Sequence, residues 1–380
     1  MKTKIKLILS LLVACLIFTG VGFNTAKIDN VQATITSARG MCVLEQGSKR
    51  VLYEKDMNSI RPNASTTKIV TAITVIQNCD DLDKIITVNN KSIGIEGTSI
   101  YLRKDEQISV KDLLYGLMLR SGNDSAVALA YHVGGTEQNF VDMMNKLCKD
   151  VGAVNTHFAN PHGLDEDNHY TTAYDLALVT AYALNNPIFA ELVSTKHHTI
   201  PATNTSEARY LTNKNRLLNS LDGCIGVKTG FTSRAGRCLV SAIKRNGITL
   251  VCVVLNCGPM FEESVQLLNN AYTEYDFSPI SILGEPIYNE YYIDNVRGEL
   301  CLYADETYIF PIKQGEKDKL KVVYSLYELK NNINEGEEVG EISVFYDKHL
   351  QKTIKLYTIN KIDVLENQDL LKSIKLQWEK

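Results

Sequence analysis

A serine and a lysine stand three residues apart where an apolar segment begins. The stretch Pro62–Lys68 leads into Ile69–Ile76, whose almost continuous apolar character predicts a helix buried inside a domain. Helical spacing places Ser65 and Lys68 on one face, within reach of each other. Burial disfavours the ammonium form of a lysine, and a neutral amine can accept the proton of a hydroxyl group. The pair could form an activated nucleophile, and a helix cap beside a solvated lysine is the alternative.

The same spacing occurs a second time, at Ser241 and Lys244. This copy lies within Arg237–Lys244, which has the composition of a strand. Residues three apart in a strand point to opposite faces, so these two side chains cannot cooperate. Only the copy at Ser65 is set in a helical context.

Two further motifs bring polar groups to the ends of predicted elements. Ser121-Gly122-Asn123 interrupts two apolar helical segments, and such a loop directs Ser121 and Asn123 outward together; a simple capping turn is the alternative. Lys228-Thr229-Gly230 ends a predicted strand that starts at Cys224. Two more strands follow, joined by Asn246-Gly247, which is a strong hairpin signal. The glycine at the strand end predicts close approach by the backbone of a ligand.

Hydrophobic periodicity predicts the elements that carry these motifs. A hairpin precedes Ser65, and a loop containing His162 and His169 joins two of the helices. These histidines are predicted to structure the loop, since no carboxylate or cysteine stands at metal-ligand spacing. The predicted strands are Met41–Leu44, Arg50–Tyr53, Cys224–Gly230, Arg237–Lys244 and Ile248–Leu255, and the predicted helices are Val110–Leu119, Phe140–Val151, Thr171–Leu184 and Glu262–Tyr275.

The three motifs S-x-x-K, S-x-N and K-T-G, in this order, resemble those of penicillin-binding proteins and serine β-lactamases. Over residues 36–278 the chain is similar to the low-molecular-weight D-alanyl-D-alanine carboxypeptidases of the peptidase S11 family. The resemblance implies an α/β (α+β) fold: a β-lactamase/transpeptidase-like domain with a central antiparallel sheet flanked by helices, then a small all-β domain. It rests on Pro62–Lys68, Ser121–Asp124, Asn160–Asp165, His169–Leu176 and Lys228–Thr232.

The resemblance also implies a role for each motif residue. Ser65 would be the acylated nucleophile, Lys68 its general base, and Ser121 the relay of a proton to the leaving amine. Backbone N–H groups of Ser65 and Phe231 would form the oxyanion hole. Asn123 would hold the substrate backbone, and Lys228 and Thr229 would face its terminal carboxylate. The residues expected to bind substrate are Asn123, Lys228, Thr229, Gly230 and Phe231.

The implied activity is serine-type carboxypeptidase action during peptidoglycan and cell-wall biogenesis, with a consequence for cell shape. The enzyme would remove the terminal D-alanine from peptidoglycan stem pentapeptides through an acyl-enzyme, with β-lactams as covalent inhibitors and no cofactor or metal. The alternatives are a DD-endopeptidase, a β-lactamase, or a non-catalytic cell-wall-binding protein. A class A β-lactamase would carry E-x-x-L-N before K-T-G, and residues 160–175 lack it.

Composition and charge bear on the binding partners, the location and the domain organisation of the protein. The chain has 380 residues and a net charge of -4 without a run of arginine or lysine, which gives no electrostatic support to nucleic-acid binding. Three early lysines precede the apolar run Leu7–Phe18, which predicts a signal peptide and export to the cell envelope, either at the outer face of the cytoplasmic membrane or secreted. The predicted segments are a signal peptide (1–33), a peptidase domain (34–278), a β-rich domain (279–364) and a short tail (365–380).

The tail and the cysteines each leave a question open. On a helix, the apolar residues of the tail share one face, which predicts either peripheral contact with a membrane or packing on the β-rich domain. The nine cysteines are scattered without a C-x-x-C pair, and we expect unpaired thiols in the mature chain. Cys15 could also belong to a lipoprotein box, although apolar residues continue beyond it. The apolar tail residues are Leu370, Leu371, Ile374 and Trp378.

Overall fold

The computed structural model describes residues 36–293, 296–327, 332–363 and 375–376. The predicted signal peptide and Cys15 lie outside these residues. The apolar tail residues Leu370, Leu371, Ile374 and Trp378 lie outside them as well.

A five-stranded antiparallel sheet forms the centre of the first domain, in the order β2-β1-β9-β8-β7. Its middle strand β9 is buried at every position, which explains why its sequence is continuously apolar instead of alternating. Asn246 and Gly247, both at positive φ, join β8 to β9 as the hairpin signal predicts. The strands of this domain are β1 (Gly40–Glu45), β2 (Val51–Lys55), β3 (Ile85–Thr87), β4 (Gln107–Ser109), β5 (His197–Ile200), β6 (Arg209–Thr212), β7 (Cys224–Thr232), β8 (Gly236–Arg245) and β9 (Ile248–Leu255).

Helices cover both faces of this sheet. The helix α8 packs on β8 and β9 from one side, while α1 and α5 belong to the large apolar core on the other. The predicted fold class, a central antiparallel sheet flanked by helices and followed by an all-β domain, is confirmed. The helices are α1 (Lys68–Asn78), α2 (Val110–Tyr115), α3 (Asn123–Gly134), α4 (Glu137–Val151), α5 (Ala173–Ala183), α6 (Pro187–Ser194), α7 (Leu217–Ser220) and α8 (Met260–Glu274).

Two predicted helices differ at the residues that matter for the site. The buried helix α1 begins at Lys68, and Ser65 lies in the preceding 3₁₀ turn Ala64–Thr67. The segment predicted as one helix from Val110 divides, because α2 passes into a π-helical turn at Gly116–Arg120. Such turns are often found at functional sites, and this one leads directly into Ser121.

The second domain is built from strands with a small apolar core around Phe310, Ile342 and Leu356. Its main sheet has the order β12-β13-β19-β18-β16-β21. The strands are β10 (Tyr275–Asp276), β11 (Pro279–Ser281), β12 (Pro286–Ile293), β13 (Val296–Ala304), β14 (Tyr308–Ile309), β15 (Ile312–Lys313), β16 (Leu320–Leu326), β17 (Asn332–Ile333), β18 (Glu338–Tyr346), β19 (His349–Thr358), β20 (Ile362–Asp363) and β21 (Lys375–Leu376).

The guanidinium group of Arg50 joins the two domains. It lies 2.6 Å from Glu316 Oε2 and donates to the Tyr346 hydroxyl at 3.0 Å. It also stacks over the rings of Phe310 and Tyr346, at 4.8 and 4.2 Å. Since Arg50 immediately precedes β2, the second domain is attached near the sheet edge opposite β7.

The tail departs from the predicted helix at the two residues that are described. Lys375 and Leu376 form β21, which pairs antiparallel with Ser325 and Tyr324 of β16. In the described part of the chain no single helix is long and apolar enough to cross a membrane; α5 and α6 meet that test only together, with a bend of 111°.

Candidate active site

The turn that carries Ser65 is held by its own polar neighbours. The Asn63 side chain donates to the hydroxyls of Thr66 and Thr67 at 3.1 and 3.0 Å. Those hydroxyls in turn donate to the carbonyl oxygens of Asn63 and Ala64. The Ser65 side chain takes no part in this network and is directed toward Lys68.

The Lys68 amine lies at the centre of the site and is fully buried. Its Nζ is 3.0 Å from Ser65 Oγ, 2.7 Å from Asn123 Oδ1 and 2.5 Å from the carbonyl oxygen of His162. A neutral amine has two N–H donors and one lone pair. The amide and carbonyl oxygens can only accept, so they take the two N–H groups and leave the lone pair for the Ser65 hydroxyl.

The electrostatic environment favours that neutral amine. Burial lowers the pKa of Lys68 well below its ordinary value, and the nearby cations Lys228 and Lys214 lower it further, while Asp124 opposes them. The pKa of Lys228 is itself lowered to about 7, first by burial and then by Lys214. Two buried amines therefore share the site, and each is more easily deprotonated than a free lysine.

The Lys228 side chain lies beneath the surface of the site. It is 1% exposed, and its Nζ donates to the Thr229 carbonyl oxygen at 3.1 Å. The residues that follow it on β7 reach the surface, where Phe231 is 66% exposed. Because β7 is the end strand of its sheet, one row of its backbone groups is open to a ligand.

The Ser121 and Asn123 side chains are both buried, and Asn123 contacts the Lys68 amine. Ser121 has φ 64°, in the left-handed region, and its Oγ is buried without a hydrogen-bond partner among the described residues. Asn123 accepts from Lys68 and donates to the Glu96 carbonyl oxygen at 2.6 Å. The expected contact of Asn123 with a substrate backbone stays a prediction, since both ends of its amide hold protein groups here.

Gly230 allows β7 to lie against the Ser65 turn. A Cβ atom at this position would be 3.0 Å from the Asn63 carbonyl oxygen and 3.1 and 3.2 Å from the backbone nitrogens of Thr66 and Ser65. The sequence predicted a glycine that admits a ligand backbone. The structure shows that it admits the turn that carries Ser65.

We expect Gly230→Ala to slow acylation by penicillin about tenfold or more. The added methyl group forces the Ser65 turn away from β7 by a few tenths of an ångström, and catalytic groups tolerate only about 0.5 Å of displacement. Stopped-flow acylation rates and thermal melts measure the effect. Gly258→Ala is the control, since a Cβ there meets nothing within 4 Å. Equal rates in the two variants would contradict the packing argument.

A cleft of about 460 Å³ opens above these groups. Ser65, Ser121 and the surface of β7 line it, as the motifs predict. No motif predicted its other walls, which come from two loops, from β8 and from the start of α8. No carboxylate belongs to the described lining. The residues missed by sequence reasoning are Thr98, Lys214, Arg237, Met260 and Phe261.

The two loop histidines are structural, in agreement with the prediction. Nδ1 of His169 accepts from the Ala159 backbone, so its Nε2–H donates to the Thr67 hydroxyl at 2.8 Å. Nδ1 of His162 accepts from the Leu164 backbone. Burial and the charge of Lys68 contribute to pKa values lowered to about 3 for His162 and about 4 for His169, which keeps both rings neutral at pH 7.

Metal-binding clusters and disulfides are both missing from the described residues. No group of three or more histidine, cysteine or acidic side chains is arranged to hold a metal ion there. The eight described cysteines are free thiols, and five of them are buried.

Comparison with known sequences decides the family. The family model described as D-alanyl-D-alanine carboxypeptidase matches residues 27–258. The chain belongs to this carboxypeptidase family. A second model, described as the C-terminal domain of penicillin-binding protein 5, matches residues 284–364 of this carboxypeptidase.

The relatives of this carboxypeptidase agree with the assignment. The D-alanyl-D-alanine carboxypeptidase DacF of Bacillus subtilis is 29% identical, over 89% of both chains. DacC of Escherichia coli is 31% identical, over 83% of this chain and 82% of the other. The structure of penicillin-binding protein 5 from Haemophilus influenzae has a TM-score of 0.70 at 26% identity, covering 88% of this chain and 100% of the other. The resemblance and the D-alanyl-D-alanine carboxypeptidase function predicted from the motifs are confirmed.

Proposed function

We propose that this carboxypeptidase works by a serine mechanism in which Ser65 forms an acyl-enzyme with Lys68 as its base. The observation that carries the proposal is the 3.0 Å separation between Lys68 Nζ and Ser65 Oγ, at an amine whose pKa burial lowers strongly. Two fixed acceptors hold the N–H groups of that amine, so the geometry is prepared before substrate binds.

The reaction proceeds in two stages. Ser65 Oγ attacks the carbonyl carbon of the penultimate D-alanine as its proton passes to Lys68 Nζ. The tetrahedral intermediate collapses, the C–N bond breaks, and the terminal D-alanine leaves after its nitrogen takes a proton through Ser121. Water then attacks the ester carbonyl and gives a proton to Lys68 Nζ. That proton passes to Ser65 Oγ as the ester C–O bond breaks, so the shortened peptide departs with the Ser65 hydroxyl restored. The buried, unpartnered Ser121 Oγ suits a relay that finds its partner only when substrate is present.

Substrate binding is assigned to the free edge of β7. An extended peptide can add to this edge through main-chain hydrogen bonds, alongside Thr229, Gly230 and Phe231. Backbone N–H groups of Ser65 and Phe231 would then stabilise the oxyanion, an effect worth about 3 kcal/mol for one donor. Lys228 and Thr229 would face the terminal carboxylate, and Asn123 would orient the peptide backbone next to Lys68.

Lys214 supplies an exposed cation at the cleft that can attract the same carboxylate. We expect Lys214→Gln to raise KM for a D-Ala-D-Ala peptide about two- to fivefold, because an exposed cation contributes about 1 kcal/mol at most. Little change in kcat is expected at a pH where Lys68 is already neutral, since Lys214 also lowers the pKa of Lys68. The effect should shrink at high salt. Steady-state kinetics at two ionic strengths measures it, and Lys146→Gln, which removes an exposed cation from α4, is the control. An unchanged KM would contradict this role.

The substrate is proposed to be the peptidoglycan stem pentapeptide, and β-lactams are proposed to acylate Ser65 because they carry a carboxylate and a strained amide. The same proposal includes export to the cell envelope, a role in cell-wall biogenesis and cell shape, and the domain limits 34–278 and 279–364. Membrane contact through the tail stays a prediction. The absence of a carboxylate from the described cleft lining disfavours a class A β-lactamase, in which a glutamate is the base for deacylation.

One assay tests this function directly. Mature enzyme is incubated with a purified stem pentapeptide and with a cross-linked dimer of stem peptides, and the products are weighed by mass spectrometry. We expect the pentapeptide to lose one D-alanine, with an ester-linked peptide on Ser65 trapped by acid quenching. Exclusive cleavage of the cross-link would favour the endopeptidase, and an unmodified pentapeptide would contradict the proposal.

A further inference from the structure

One face of β7 contacts several parts of the proposed catalytic machinery. Alternate residues of a strand share a face, and Lys228, Gly230 and Thr232 form such a series. Lys228 lies close enough to the Lys68 amine to lower its pKa by charge repulsion, and Gly230 packs against the turn that precedes α1. Thr232 donates its hydroxyl proton to Asp165 Oδ1 at 2.9 Å, so the same face also reaches a loop that lies 67 residues earlier in the chain.

That loop, residues 160–168, supplies an acceptor for the Lys68 amine. The acceptor is the carbonyl oxygen of His162, which lies 2.5 Å from Nζ. The buried side chain of Asn160 accepts from two backbone N–H groups of the loop and donates to the carbonyl oxygen that directly precedes Asp165. Because these hydrogen bonds tie the loop together from His162 to Asp165, a displacement at Asp165 is transmitted to the acceptor of the buried amine.

We infer that Asp165 is a positioning residue for the reaction, an inference that rests on the serine mechanism proposed above. Its carboxylate holds the strand that carries the proposed oxyanion donor, Phe231, against the loop that fixes the base. Phe231 directly precedes Thr232, so a hydroxyl held by Asp165 restricts where the Phe231 backbone N–H lies. A single hydrogen bond therefore sets the distance between the base and the oxyanion hole, two groups that must be placed to within about 0.5 Å.

A second contact joins the same loop to the turn between β7 and β8, but it lies further out. Arg234 donates to Asp167 Oδ1 at 3.0 Å, where the Asp167 side chain is fully exposed and that of Arg234 is half exposed. Exposed ion pairs of this kind contribute little. Thr232 is partly buried, and its hydroxyl also accepts from the Ala235 backbone N–H at 3.0 Å, which directs its own proton toward Asp165. The two contacts are therefore expected to differ in their effect on catalysis.

Acylation by penicillin measures this role. Asp165→Ala removes the acceptor and keeps the hydrogen bond between Thr232 and Ala235. We expect the maximal acylation rate to fall about three- to tenfold, because catalytic groups tolerate little displacement. The dissociation constant of the complex that precedes acylation should change less than about twofold, since positioning acts on the reaction step. Asp165→Asn keeps an acceptor oxygen and should recover most of the rate.

Asp167→Ala is the matched control, since it removes one carboxylate and one contact from the same loop, and it should acylate at the natural rate. Thr232→Val should be at least as slow as Asp165→Ala, and combining the two should cause no further loss, because both remove the same hydrogen bond. Stopped-flow labelling gives the rates, and thermal melts verify that each variant is folded.

Three results would overturn the inference: a natural rate in Asp165→Ala, an equal loss in Asp167→Ala, or a change confined to the dissociation constant. A natural chain that penicillin does not label at Ser65 would instead contradict the serine mechanism, and the inference would fail with it. The natural chain is measured beside the variants, so the two kinds of failure are distinguished in one experiment.

Discussion

Replacing Ser65 with alanine is expected to abolish both the release of D-alanine and covalent labelling by penicillin. In the proposed mechanism the variant removes the oxygen that forms the acyl bond, and the loss of a serine nucleophile costs on the order of 10⁶-fold in kcat. The melting temperature should change little, because the Ser65 hydroxyl takes no part in the network that holds its turn. Mass spectrometry of the penicillin adduct and D-alanine release measure the two activities.

The second S-x-x-K copy offers a matched control for this experiment. Ser241 is fully buried in β8, and its hydroxyl is 3.5 Å from the Cys252 carbonyl oxygen. Ser241→Ala should keep both activities, because its side chain lies in the sheet and not beside a buried amine. Persistent labelling in Ser65→Ala would disprove the nucleophile assignment, and equal loss in both variants would show that folding was lost instead.

Replacing Lys228 with alanine is expected to have two separate effects on catalysis. Loss of a charged partner for the substrate carboxylate costs about 1.5–3 kcal/mol, which lowers kcat/KM about 10- to 150-fold. Loss of its positive charge also raises the pKa of Lys68, since repulsion from Lys228 is one of the causes that lower it. A higher pKa means that more of Lys68 is protonated at a given pH.

The pH dependence of penicillin acylation separates these two effects. Activity that needs neutral Lys68 falls as pH decreases through the pKa of that amine. In Lys228→Ala this acid limb should move to higher pH, whereas a simple loss of carboxylate binding would lower the rate equally at every pH. Lys244→Ala, which removes an exposed cation from β8, should leave the profile unchanged. If the acid limb does not shift and KM is unchanged in Lys228→Ala, Lys228 has neither of these two roles.

Stability should change less than activity in the Lys228 variant. The pKa of Lys228 is about 7 when folded and near 10.5 when unfolded, so between these values the unfolded chain binds more protons. Stability therefore rises with pH in that window, and the buried amine costs most below about pH 7. Alanine removes this cost but leaves a cavity, so the two changes oppose each other. Thermal melts at pH 6 and pH 9 should differ less in the variant than in the natural chain.

Local sequence was enough for several features that depend on neighbours in the chain. The apolar run after Lys68 predicted a buried helix, Asn246-Gly247 predicted a hairpin, and Ile248–Leu255 predicted the strand β9. The motif order also identified the family. These signals are readable because burial and turn geometry restrict residue types one position at a time.

Contacts between distant segments were decided only by the tertiary structure. The His162 carbonyl oxygen and the Asn123 amide, which leave the Lys68 lone pair for Ser65, come from segments 94 and 55 residues away. The Lys214 side chain enters the cleft from a loop whose sequence carries no motif. Lys375 and Leu376 form a strand paired with β16 where periodicity predicted a helix. Periodicity records which face of an element is apolar, but the partner that covers this face is determined by packing across the whole chain.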